Sequence, residues 1–285
     1  MKQGKKMKKM IAIILIFTFF LLFFIMLKKL NLIDYQKIKN YISSAFDKEV
    51  IKDEIIFLNP VEAYNRIEES GYINTFNKID LKVRNCNSIE HSKEIYKKNI
   101  LEFTDEEKEI LINLIKKINM KIKILKSFYE TEWKFSRVTN KIDNGFPHTH
   151  NDTIYLSDKF FKNPNMSVLI HEKIHIYQKK FPTKKEKLYK LYNYEKVNKI
   201  NNGKRRANPD LDNFDYKKDN AIIYSEYKEN ASSLSDIKLV LSGNESDNDP
   251  SNNEHPDEYF AYKLSEDILN GFKKNDNELI NYLTY

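Results

Sequence analysis

Residues 168–177 read Val168-Leu169-Ile170-His171-Glu172-Lys173-Ile174-His175-Ile176-Tyr177. Apolar residues surround the polar ones, as in a helix that is buried rather than laid on the surface. Histidines at i and i+4 of a helix share one face, a single turn apart, so His171 and His175 can grip one metal ion. Zinc suits imidazole nitrogen and a four-coordinate site. Glu172 follows the first histidine directly and can reach a water on that ion and take its proton. The bland alternative, two surface histidines on an amphipathic helix, is disfavoured by the apolar flanks.

Working outward, the helix starts near Pro164 and Phe181-Pro182 stops it. Thr153-Ile154-Tyr155-Leu156 reads as a strand just before it, and Trp133, Phe135 and Val138 lie in an earlier one. Asn144-Gly145 between them is a turn signal. Thr104-Asp105-Glu106-Glu107 is a capping box, and Ile110, Leu111, Leu114, Ile118, Ile122 and Leu125 continue as an apolar stripe at helical spacing. Asn59-Pro60 opens another helix. Downstream, the pattern predicts a polar helix over 183–200, a loop over 202–220, a short strand at 222–224, a loop over 242–256 and a last helix over 256–270.

With the motif, the strand before it and an acidic string after it in view, the sequence resembles the zincin metallopeptidases. The likeness is local. It implies an α+β fold: a small mixed sheet with an active-site helix, in mostly helical surroundings. It also implies that an edge strand aligns the substrate, a place taken here by residues 146–156. No third histidine follows at short spacing, so the gluzincin branch fits better, with a glutamate from a later helix as third ligand. Glu258-Tyr259-Phe260-Ala261 looks like the E-x-F-A string that carries it. Glu254, His255 and Asp257 are rivals for the role. The resemblance implies Zn²⁺ as cofactor, Glu172 as general base, and a Tyr or His that stabilises the oxyanion, for which His255 and Tyr224 are nominated. Residues 183–255 become an insertion. Lys173 departs from the family pattern, where an uncharged residue is usual, and is expected to reach solvent or an acid. His148 and His150, at i and i+2 of a strand, face one side and can line the cleft or bind a second metal.

Composition bounds the remaining readings. The chain has 285 residues and a formal charge of +7, with a single cysteine. That excludes a disulfide framework and any Cys-rich zinc module, and Cys86 reads as an inert thiol. The seven lysines of residues 1–29, which contain no acid, account for the whole net charge, so nothing argues for nucleic-acid binding by the rest. Residues 10–27 are apolar apart from Thr18 and would span about 27 Å as a helix. The organisation expected is therefore a transmembrane anchor with basic flanks over 1–29, a helical membrane-proximal region over 30–100 and a zincin-like metallopeptidase domain over 101–285. No small-x-small cleavage site follows the apolar run, which favours an uncleaved single-pass anchor over a signal peptide. The lysine balance places the large domain outside the cytoplasm or in a lumen. The function expected is a membrane-anchored zinc endopeptidase acting on peptides or proteins. The alternative is an inactive zincin-fold structural or interaction protein, and the oligomeric state is open.

Overall fold

The computed structural model describes residues 55–219, 221–241, 244–246 (backbone only), 255–273 and 275–285. Two five-stranded sheets organise them.

The first sheet is mixed. Strand β1 (Ile55–Phe57) runs parallel to β3 (Trp133–Val138), which runs parallel to β5 (Thr153–Leu156). The short β2 (Ile100–Leu101) pairs antiparallel with the far end of β3. Strand β4 (His148–His150) closes the sheet as an antiparallel edge, in the register His148↔Tyr155, Thr149↔Ile154, His150↔Thr153. β3 is central, and Trp133, Phe135 and Val138 along it are buried, as a strand covered on both faces requires.

Helix α1 (Pro60–Ser70) begins at a capping box: Asn59 accepts from the Val61 and Glu62 amides, and the Glu62 carboxylate accepts from the Asn59 amide. Its buried Ala63 and Ile67 meet Tyr72, Tyr96, Val138 and Tyr155 in one core, where Tyr155 Oη donates to the Ala63 carbonyl at 2.6 Å. Helix α2 (Asp105–Ile122) begins at the Thr104–Glu107 capping box and buries Leu111, Ile115, Ile118 and Ile122. Trp133 Nε1 ties β3 to α2 by donating to Asn119 Oδ1 at 3.2 Å. Helix α3 (Met166–Lys180), capped by Asn165, carries the histidine pair and packs on β4 and β5. Pro182 then opens α4 (Pro182–Leu191).

The second sheet is an antiparallel meander of β6 (Glu195–Asn198), β7 (Phe214–Lys218), β8 (Ala221–Tyr227), β9 (Ile237–Leu241) and β10 (Asn244–Ser246). Helices α5 (Pro256–Asn270) and α6 (Asn277–Thr284) follow, and α5 packs along α3.

Three expectations are corrected. The helix over 183–200 ends at Leu191, and strands occupy 195–198 and 214–218 where helix and loop were predicted. β6 is almost wholly solvent-facing, so it lacks the apolar alternation that marks a half-buried strand. The boundary expected at 100/101 falls inside β2, and β1 lies in the same sheet as β3, so 55–100 and 101–285 share one sheet. Finally, no helix among the described residues is long and apolar enough to cross a membrane. The longest of them, Asp105–Ile122, alternates charged residues with its apolar stripe. The transmembrane helix in the fold class, the single-pass membrane assignment and the extracytoplasmic or lumenal placement are therefore withdrawn. Residues 10–27, on which they rested, lie outside the described residues.

Candidate metal centre

His171 and His175 project from α3 one turn apart, and their Nε2 atoms stand 3.0 Å from each other. Glu258, in the first turn of α5, brings Oε2 to 3.3 Å from His171 Nε2 and 3.6 Å from His175 Nε2. Three donors at roughly 2.0–2.1 Å from an ion at the centre of a tetrahedron stand about 3.3–3.4 Å apart. The observed triangle matches that spacing. Asn208 Nδ2 donates to the other Glu258 oxygen at 3.1 Å, which orients the carboxylate.

The two histidines and the two glutamates perturb one another's charge. Burial works against the His175 imidazolium, yet the Glu258 and Asp210 carboxylates outweigh it and raise the ring to about 9. Burial would raise Glu258, but His175 and His171 hold its carboxyl well below the usual range. Glu172 is pushed well above its ordinary value, first by burial and then by Asp210. A divalent cation beside it acts in the opposite sense. Glu172 Oε2 and His171 Nδ1 are buried without a hydrogen-bond partner.

These groups open onto a cleft of about 590 Å³. His171, Glu172, Glu258 and Tyr262 line it together with residues 206–210 and Leu234, Ser235 and Ile237. The Tyr262 ring lies 4.4 Å from the His171 ring, centroid to centroid. Tyr262 is one helical turn beyond Glu258, so it shares a face of α5 with the third donor. That spacing was legible in the sequence, but Tyr262 was not singled out there.

The other nominated residues lie elsewhere. His255 does not line the cleft. It caps α5, with Nδ1 accepting from the Asp257 amide at 3.1 Å and Nε2 3.2 Å from the Phe214 carbonyl. The catalytic role expected for it, as oxyanion donor, is corrected on that ground. Tyr224 is on β8 beneath Arg205, also away from the cleft. Asp257 is buried and taken up by Tyr189 Oη, Lys185 Nζ and the Asp212 amide. Glu254 lies outside the described residues. Glu258 is thus the one described candidate that meets the histidines.

Asp212, His255 and Asp257 form a second group whose donors are close enough to hold a metal ion. Lys185 Nζ already lies 2.7 Å from Asp212 Oδ2 and 3.0 Å from Asp257 Oδ1, so an ammonium supplies the positive charge there. His148 and His150 face one side of β4, their rings 5.1 Å apart, but belong to neither group. His148 reaches the cleft. His150 turns to Ser70 and Tyr72, and burial holds its ring well below the ordinary imidazole range.

Lys173 does not reach solvent. It is fully buried, donates to the Thr131 carbonyl and lies 4.2 Å from the centre of the Trp133 ring. Cys86 is a buried free thiol beside the Arg84 carbonyl. No protein-family model, curated protein or solved structure matches this chain.

Proposed function

We propose that the chain is a zinc-dependent peptidase whose metal is held by His171, His175 and Glu258. The observation that carries this reading is the triangle of donors 3.0, 3.3 and 3.6 Å apart, with Glu172 beside it at the mouth of a cleft. Two imidazole nitrogens and one carboxylate oxygen, with a side left open, are the donor set of a catalytic zinc. Zinc bound there supplies Lewis acidity, which acidifies water and polarises a carbonyl. Glu172 Oε2, which has no competing partner, accepts the proton of the attacking water and returns it to the leaving amine as the C–N bond breaks. Tyr262, which lines the cleft on the same face of α5 as Glu258 with its ring against His171, is our candidate donor for the oxyanion.

The test is the full chain loaded with zinc, assayed for bound metal and for cleavage of a diverse peptide library. One zinc per chain is expected, with cleavage abolished by chelation. Glu172→Gln should keep the metal and lose about 10²-fold or more in kcat/KM. Full zinc occupancy without turnover on any peptide would instead favour the inactive, structural alternative.

A further inference from the structure

Peptides commonly bind a sheet by adding a strand to its edge, using the main-chain groups that face outward. In an antiparallel pair those groups alternate. On β4, His148 and His150 turn theirs to β5, and Thr149 turns its pair outward. That pair is already bonded. The Thr149 amide donates to Asp210 Oδ1 at 2.8 Å, and the Thr149 carbonyl accepts from Lys179 Nζ at 2.9 Å. Nearer the cleft, Pro147 has no N–H to offer. The Phe146 amide donates to the Asp143 carbonyl, and the Phe146 carbonyl faces His148 Nδ1 at 2.9 Å. A carboxylate and an ammonium therefore stand where the main chain of an added strand would lie.

The segment that supplies Asp210 is itself pinned. The Ala207 amide donates to Asp80 Oδ1 at 3.1 Å. The Ala207 carbonyl accepts from Arg84 Nη2 at 3.2 Å and from Tyr72 Oη at 3.3 Å. Lys179 Nζ also donates to the Pro209 carbonyl at 2.8 Å. Charged partners hold both ends of this strap, which argues for a fixed wall rather than a lid.

We propose that the edge of β4 is sealed, and that the substrates are short peptides that lie within the cleft without joining the sheet. This deepens the peptidase reading of the metal centre and rests on it. A cleft of about 590 Å³ falls in the range that encloses a ligand of a few residues.

Two measurements on the full chain test this. Hydrogen exchange of the Thr149 amide should be slowed about 100-fold or more, like the amides of β5, and exchange no slower than an exposed loop would overturn the proposal. With the zinc-loaded chain, capped peptides of four, six, eight and ten residues around one scissile bond should differ by less than about threefold in kcat/KM. N-methylation of any amide outside the scissile pair should cost no more than that. A loss of about tenfold on N-methylating alternate amides, or a steady gain with length, would show strand addition and overturn it. A chain that cleaves none of the peptides while Thr149 stays protected removes the peptidase reading and leaves the sealed edge standing.

Discussion

The Gln178 amide touches both halves of the donor triangle. Its Oε1 lies 2.9 Å from His175 Nδ1, and its Nε2 donates to the Asp257 carbonyl at 2.9 Å, one residue before Glu258. An amide oxygen only accepts, so it fixes the proton on Nδ1 and leaves the Nε2 lone pair toward the other donors. Gln178→Leu removes both bonds, and a third from Nε2 to Tyr189 Oη, while keeping a similar volume. Metal affinity, read by competition with a chelator, should fall about 10–100-fold with the fold retained. Unchanged affinity would strip Gln178 of this role. The three clustered donors could be picked out in the sequence, because i, i+4 spacing is a local rule and Glu258 sits in its own string. Gln178 could not, because its value depends on α5 crossing α3 at this point. His255 misled for the same reason: proximity in sequence to Glu258 places it at the cap of α5, where its ring turns to β7 and not to the cleft.

Delivery of β4 to the sheet edge depends on the turn before it. Asp143, Asn144 and Gly145 all adopt positive φ, at 42°, 55° and 70°. Asn tolerates that region and Gly has no penalty there, which is why Asn144-Gly145 signalled a turn from sequence alone. A Cβ at Gly145 would meet Asn140 Oδ1 at 2.6 Å and Ser157 Oγ at 2.9 Å. Gly145→Ala therefore combines backbone strain with overpacking and should cost about 2–4 kcal/mol. The check is a lower urea midpoint at unchanged slope, and a shift under about 0.5 kcal/mol would mean the turn relaxes freely. At this scale capping boxes and turns were legible, since each is closed by residues within a few positions. The second sheet was not. β6 faces solvent over almost its whole length, and its pairing with β7 joins residues such as Val197 and Asp215 across a long loop. Lys173 is a parallel case: the fold sets the Thr131 carbonyl and the Trp133 face beside position 173, and neither contact is announced by the local sequence.

Across the whole described unit, Arg84 is the point where separate parts of the fold are tied together. Its Nε donates to Asp143 Oδ1 at 3.0 Å, in the turn before β4. Nη1 donates to Asp80 Oδ1 at 2.9 Å and to Tyr227 Oη of β8 at 3.3 Å. Nη2 donates to Tyr72 Oη at 2.6 Å and to the Ala207 carbonyl of the strap. Both sheets and one wall of the cleft thus share one buried guanidinium. Nothing in the spacing of residues 80, 84, 143 and 227 announces this, since each is an ordinary surface type in isolation. Burial would raise the Asp143 carboxyl, but Arg84, then His148 and two tyrosine hydroxyls, hold it below the usual carboxylate range. A carboxyl with a depressed folded value stabilises the fold fully above its unfolded value of about 3.9, and that stability is lost as pH falls through the folded value. Asp143→Asn leaves Arg84 with one carboxylate in place of two, so the cost at pH 7 should be about 3 kcal/mol. The gap between the two proteins, measured by urea unfolding at several pH values, should stay flat from pH 8 to pH 5 and narrow below about pH 4, as the unfolded Asp143 carboxyl takes up a proton ahead of the native one. A gap that is already negligible at pH 7 would mean that Asp80 alone satisfies Arg84. One that persists undiminished into strong acid would mean that the Asp143 hydrogen bonds, rather than its charge, hold the turn against the strap.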